Sequence, residues 1–289
     1  MRIFKHLILF GLLLSSTLSS LDMKQEVARV EKLIAEAKPE MKAPLLVQQA
    51  ILYFEDQNQE KAFEVYHQAL ESVLTSQEPS IEESENYKQA LSIYLNHSGS
   101  TPQESAERIL DQFGVELEKN PEDHQLAFVV SAALANVGNY PDFFLVFFEA
   151  YRHLPNHFMA YRTKAILHIK LMERARTERE RQFQRESITE NFAKAIETNP
   201  RDDSTYKLII YFANTSQYEQ IVKKYFTQLI EQDVKVPRKD IGFYVQHAIE
   251  ANQKVLAQRF LDKAKKWYAY SRSIEEAQAI LDVSVKSND

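Results

Sequence analysis

Between Asn120 and Pro155 the chain reads NPEDHQLAFVVSAALANVGNYPDFFLVFFEAYRHLP. Asn120-Pro121 opens it, Leu126 to Val137 is a run of small and apolar residues, and Gly138-Asn139-Tyr140-Pro141 breaks that run. A second run, Phe143 to Leu154, ends at Pro155, 34 positions after Pro121. Two apolar runs of helical length, parted by a tight turn and closed by a proline exit, read as a helical hairpin. The same close recurs downstream in Ala193-Lys194-Ala195-Ile196-Glu197-Thr198-Asn199-Pro200.

The surrounding composition agrees. The chain has 289 residues, 44% of them hydrophobic and 26% charged, which is a globular composition. Only 5 glycines are present, which argues against folds built on glycine-rich phosphate loops or many tight β-turns. Ala, Leu, Glu, Lys and Gln are abundant and are good helix formers, so the fold class read here is all-α. Cysteine is absent, which excludes thiolate zinc sites, cysteine nucleophiles, disulfides and lipid attachment to an N-terminal cysteine. A formal charge of −6 gives no general pull toward nucleic acid or anionic lipid.

Residues 1–20 are expected to be a secretory signal peptide. Arg2, Lys5 and His6 precede the apolar run Leu7 to Leu14, and small residues follow from Ser15 to Ser20. Thr17 and Ser19 suit a cut after Ser19 or Ser20. The run is too short to span a bilayer core of about 30 Å. If it were retained, the protein would be tethered to a membrane. If it is cut, the protein is periplasmic or secreted, and without cysteine it must fold on its hydrophobic core alone.

After the leader, residues 21–40 are expected to form an N-terminal helix, with Val27, Val30, Leu33 and Ile34 at helical spacing. Pro39 ends it and Pro44 opens the next helix, on which Leu45, Leu46, Ala50, Tyr53 and Phe54 share a side. Asp56-Gln57-Asn58 is the following turn. Beyond it, Ala62, Tyr66 and Ala69 put small residues around an aromatic, which lets helices approach to about 8–10 Å. The same spacing recurs at Ala106/Leu110/Phe113, Phe143/Phe147/Ala150, Ile188/Phe192/Ala195, Val222/Phe226/Leu229 and Ala257/Leu261/Ala264. The offsets between successive trios are 44, 37, 45, 34 and 35 residues.

All nine prolines are expected at helix ends or in connections, because one inside a helix costs about 3 kcal/mol. Thr101-Pro102-Gln103-Glu104 is a capping box, and Ser187, Ser216 and Ser273 each have glutamate three residues on. Leu171 to Glu186 holds the largest excess over the repeat length, mixes both signs of charge, and reads as a solvated helix or a projecting arm.

No motif carries catalysis. His153 and His157 are four apart, but Pro155 takes them off a shared helical face. No His-Glu-x-x-His run, nucleophile elbow or phosphate-binding loop is present. Asp202-Asp203 reads as a helix cap with a first-turn acid. No metal or cofactor is called for. Paired carboxylates meeting in space would make an all-α hydrolase the alternative.

The recurring trio and the Asn-Pro exits resemble the tetratricopeptide-repeat (TPR) family from about Met41 to Lys266. The resemblance implies a right-handed superhelical array of helical hairpins, an α-solenoid of about six helix pairs over residues 41–269. The N-terminal helix would cap one end and a helix within residues 270–289 the other. It implies a non-enzymatic adaptor or scaffold that binds a protein or peptide partner in a groove lined by the first helices. In that frame Phe128, Arg162 and Lys207 take equivalent groove positions, with Tyr211, Asn214, Lys239 and Gln246 on the same side. Arg162, Lys207 and Lys239 would make the groove basic and suited to an acidic segment, with no role for nucleic acid. The family's carboxylate-clamp pattern is not reproduced, since Tyr211 stands where it has asparagine.

Overall fold

The computed structural model describes residues 20–73, 83–95, 101–215, 219–268 and 271–286, with the side chains at 20–22, 40, 214–215 and 286 left aside. The fold is all-α: fourteen α-helices and one 3-10 turn, with no strand among the described residues. The chain divides into two compact units, residues 1–191 and 192–289. Of the expected leader, residues 1–20, all but Ser20 lie outside the described residues, as does Ser216, and Ser20 is the first residue of α1.

The first unit starts with α1 (Ser20–Glu36), which packs on α2 (Pro39–Glu55) through Met23, Val30 and Leu52. Gln49 Nε2 and Tyr53 Oη donate to Glu31 Oε1 at 3.2 and 3.0 Å. Pro44 corrects the sequence expectation, because it lies inside α2 and Pro39 is that helix's first residue. At the sixth helical position the missing N–H removes one bond near an end where several are unmade anyway. The turn at Gln57 (φ 61°) leads to α3 (Gln59–Glu71), capped by Asn58.

There follow α4 (Glu85–Tyr94), α5 (Pro102–Lys119), α6 (His124–Val137), α7 (Tyr140–His153) and α8 (Phe158–Arg174). The Thr101–Glu104 capping box forms as expected. The centre of this unit is α6, on which Gln125 to Ala135 are buried without a break. A helix apolar all round must be enclosed, and α4, α5, α7 and α8 enclose it. Beside it α7 carries Phe143, Phe144, Phe147 and Phe148: Phe147 meets Phe128 of α6 at 5.7 Å, while rings of α2 and α3 pack on Phe143 and Phe144. The first hairpin thus docks on α7 and does not simply bury the hairpin that follows it, a departure from strictly serial stacking.

Gly138 ends α6 with φ +78°, the left-handed C-cap that glycine supplies without penalty. A Cβ there would also meet Arg174 Nη2 at 2.6 Å, because the end of α8 returns over this turn and its guanidinium sits 4.8 Å from the Tyr140 ring. Gly138→Ala should therefore lower stability by about 1–2 kcal/mol in urea titrations, mostly from the backbone. An unchanged midpoint would mean the turn is not held in this conformation.

The long α9 (Glu178–Thr198) runs from the first unit into the second. Its cap also corrects the sequence reading. Thr177 and Glu180 exchange the box bonds, at 3.1 and 3.2 Å, while Ser187 lies inside the helix. Ser273 likewise lies inside a helix. The charged segment 171–186 is the end of α8 and an exposed start of α9 laced by Glu178–Arg181 and Glu178–Arg185 pairs.

The second unit continues with α10 (Asp203–Thr215), α11 (Glu219–Glu231), the 3-10 turn Arg238–Asp240, α12 (Ile241–Glu250), α13 (Lys254–Trp267) and α14 (Arg272–Lys286). Phe226 of α11 packs between Tyr244 of α12 and Phe260 of α13, at ring distances of 6.0 and 5.4 Å. Across both units, the six trios fall on α3, α5, α7, α9, α11 and α13, and none of their eighteen residues is more than 5% exposed.

Candidate functional site

The residues proposed for the groove do not end up alike. Phe128 is fully buried in α6 and is a core residue. Arg162 of α8 is 3% exposed, donates from Nη2 to the Tyr87 hydroxyl at 3.3 Å, and lies over the Phe158 ring at 5.6 Å. Lys207 of α10 is 4% exposed. Placing these three on a groove surface is thus corrected: the helices beside them close over them, and two of the three cations meant to make the groove basic are internal. Lys239 and Gln246 are exposed, and Tyr211 is half-buried. The side chain of Asn214 lies outside the described residues.

In the second unit the structure does gather one group of functional side chains, along the facing sides of α10 and α12. On α10, Asp203, Lys207 and Tyr211 recur at every fourth residue and so share a face. On α12, Phe243 and His247 do the same, with Glu250 three residues on and Asp240 just before the helix. Lys207 Nζ pairs with Asp240 Oδ1 at 2.7 Å and lies 5.1 Å from the Phe243 ring centre. The Phe243 and His247 rings meet edge to face at 4.2 Å, and Tyr211 approaches His247 at 6.1 Å. His247 Nδ1 is 3.0 Å from Glu250 Oε2. Sequence reading found Lys207, Tyr211 and Gln246 but missed Asp240, Phe243 and His247. The i, i+4 spacing of Phe243 and His247 was the available signal.

The electrostatics of this strip are unbalanced. Asp202 caps α10, taking the Thr205 N–H at 3.1 Å and the Ser204 hydroxyl at 2.6 Å, as its position before the helix suggested. Asp203, one residue on, has its carboxyl pushed up to about 7, first by burial, then by Asp202 and Asp240, with Lys207 pulling the other way. Burial pushes His247 below its usual value, Lys207 adds to this, and Glu250 opposes it. Tyr244 donates its hydroxyl to the Asp203 carbonyl at 3.0 Å.

Asp203 makes a pH prediction with an unusual sign. Folded, it keeps its proton up to about 7; unfolded, it loses it near 3.8. Between those values the folded chain binds more protons, so stability falls as pH rises and then levels off above neutrality. Asp203→Asn removes that penalty. The variant should match wild type in urea at pH 4 and exceed it by about 1–3 kcal/mol at pH 8. An equal difference at both pH values would show that Asp203 is well solvated.

Elsewhere, His124 and His153 stack with rings 4.2 Å apart and 9° from parallel, flanked by Glu122 and Glu149. A half-open groove of about 500 Å³ between α9 and α11 is lined by Ile196, Glu197, Tyr225 and Gln228, among others. No group of three or more His, Asp or Glu among the described residues is arranged to hold a metal ion. No described helix is long and apolar enough to cross a membrane. No protein-family model matches the chain, and neither does any curated protein or solved structure.

Proposed function

We propose that the chain is an exported, non-enzymatic adaptor of the TPR-like α-solenoid kind, which binds a protein or peptide partner along its first-of-pair helices. The observation that carries this reading is the burial of all six trios on alternate helices, α3 to α13. Burial at a recurring spacing is what an array of hairpins needs when each hairpin cannot enclose its apolar face alone. The fourteen helices also suit six pairs with a capping helix at each end. The partner surface in this reading is the α10–α12 strip, since Tyr211, Gln246 and Lys239 reach solvent there while Phe128 and Arg162 do not. Export rests on the leader-like residues 1–20, and a retained leader would make the protein a membrane-tethered assembly factor.

The test is site-specific photocrosslinking in the native host, with the photoreactive residue at Gln246 and, as a control, at the exposed Arg179. A discrete adduct from Gln246 that is missing from Arg179 supports a partner on the strip. No adduct, or the same adducts from both, defeats it. Intact mass of the chain from its host decides whether the leader is cut.

A further inference from the structure

We infer that the His124–His153 stack is a pH-sensitive latch: it holds the start of α4 on α6 while the pair carries at most one proton, and lets it go in mild acid, when a second proton enters. The latch lies wholly within the first unit and does not depend on the partner surface proposed above.

His124 is the first residue of α6 and His153 the last of α7, so the stack closes the open end of that hairpin. The two rings are not equivalent. His153 is exposed at a helix C-terminus with Glu149 Oε1 at 3.3 Å from its Nε2, and both features suit a proton. His124 is half-buried at a helix N-terminus, where a cation is disfavoured, and its Nδ1 is buried with no hydrogen-bond partner. Burial holds it below its usual value and His153 adds to this, while Glu122, Glu149 and Asp123 oppose. Those carboxylates are poorly placed to offset a second proton. Glu122 is solvated and 3.6 Å away, and Glu149 already serves both His153 and Arg152 at 3.3 Å. Asp123 takes the Leu126 N–H and the Ser84 hydroxyl. Of the other charges at this end, Lys119 of α5 pairs with Glu116, Glu85 of α4 pairs with Lys88, and Arg162 of α8 donates to Tyr87. One proton, on His153, leaves a cation stacked on a neutral ring. Two place like charges face to face with rings 4.2 Å apart.

The link to α4 is direct. Ser84, its cap, donates its hydroxyl to Asp123 Oδ2 at 2.7 Å and its N–H to Gln125 Oε1 at 2.9 Å. These acceptors belong to the residues on either side of His124. When repulsion turns His124 away from His153, the first turn of α6 moves with it and both bonds to Ser84 go. The helix so released is ten residues long and fully buries Tyr87 and Ala90 alone, so its hold depends on its ends.

The sign follows from His124 binding its proton less readily folded than unfolded. The latch is fully closed above the ordinary histidine value of 6.5 and weakens as pH falls below it. Amide hydrogen exchange of the full chain at pH 8 and pH 5, expressed as protection factors so that the intrinsic rate cancels, is the test. Protection across α4 should drop at least fivefold at pH 5 in wild type. It should drop less than twofold in His124→Phe, which keeps a stacked ring and removes the proton. The same drop in His124→Phe would assign the loosening to other groups, such as the buried His168, and overturn the latch. So would an α4 that stays protected at pH 5 in wild type. Should His124→Phe fail to fold, proton NMR of the wild-type imidazoles decides: His153 should titrate first and His124 in a separate step at lower pH. Two rings titrating together would overturn the latch as well.

Discussion

Phe144→Ala should cost about 3–5 kcal/mol in urea unfolding followed by circular dichroism, the range for truncating a fully buried phenylalanine. Phe144 is fully buried on α7 and is the ring that the first hairpin closes upon. Tyr66 of α3 stacks on it at 4.2 Å, Phe63 meets it edge-on at 5.3 Å, and Phe54 of α2 meets it edge-on at 6.2 Å. The Tyr66 hydroxyl also donates to the Phe144 carbonyl at 3.1 Å. Phe54 and Phe63 also pack on each other and on Tyr140, so little collapse into the vacated volume is open to them and the cavity cost adds to the lost transfer energy. Tyr66→Phe, which removes only the hydroxyl, should cost about 0.5–1.5 kcal/mol. The ratio between the two is diagnostic. If Phe144→Ala costs under about 1.5 kcal/mol, the hairpin of α2 and α3 does not dock on α7 in solution.

That docking was not legible in the sequence, and the reason is physical. Spacing reports which side of a helix is apolar, so Ala62, Tyr66 and Ala69, and the trios after them, were readable as buried positions. It does not report which other helix supplies the opposing surface. Tyr66 and Phe144 are 78 residues apart, and nothing local in either marks the other. The same limit explains the displaced groove residues. Arg162 was placed in the groove by the repeat register, yet it is buried and donates to Tyr87 of α4, 75 residues earlier. Pro44 misled for a different reason: proline reads as the opening of a helix, but both Pro39 and Pro44 suit an amino-terminal end, where a missing N–H costs less, and α2 begins at the earlier one. Caps are local hydrogen bonds within four residues, so Thr101, Asp202 and the Asn-Pro exits could be read directly, but the same Ser-x-x-Glu spacing also occurs inside helices, as at Ser187 and Ser273.

The strip on α10 and α12 was half legible for the same reason, and its missing half gives the second large effect. Lys207→Met should destabilise the second unit by about 3–5 kcal/mol, because it strands Asp240, which is 8% exposed, without its cation. Trp267, the only tryptophan, lies in this unit and provides the fluorescence readout. The deficit should grow as pH rises through neutrality. Lys207 is the charge that holds Asp203 down against burial, Asp202 and Asp240, so its loss lets Asp203 keep its proton to higher pH and makes ionising it dearer. Replacing both partners, Lys207→Met with Asp240→Leu, should recover most of the loss, since a well-packed apolar pair carries no desolvation cost. A single-variant cost under about 1 kcal/mol would mean that the pair is wet and Lys207 is not spent on Asp240.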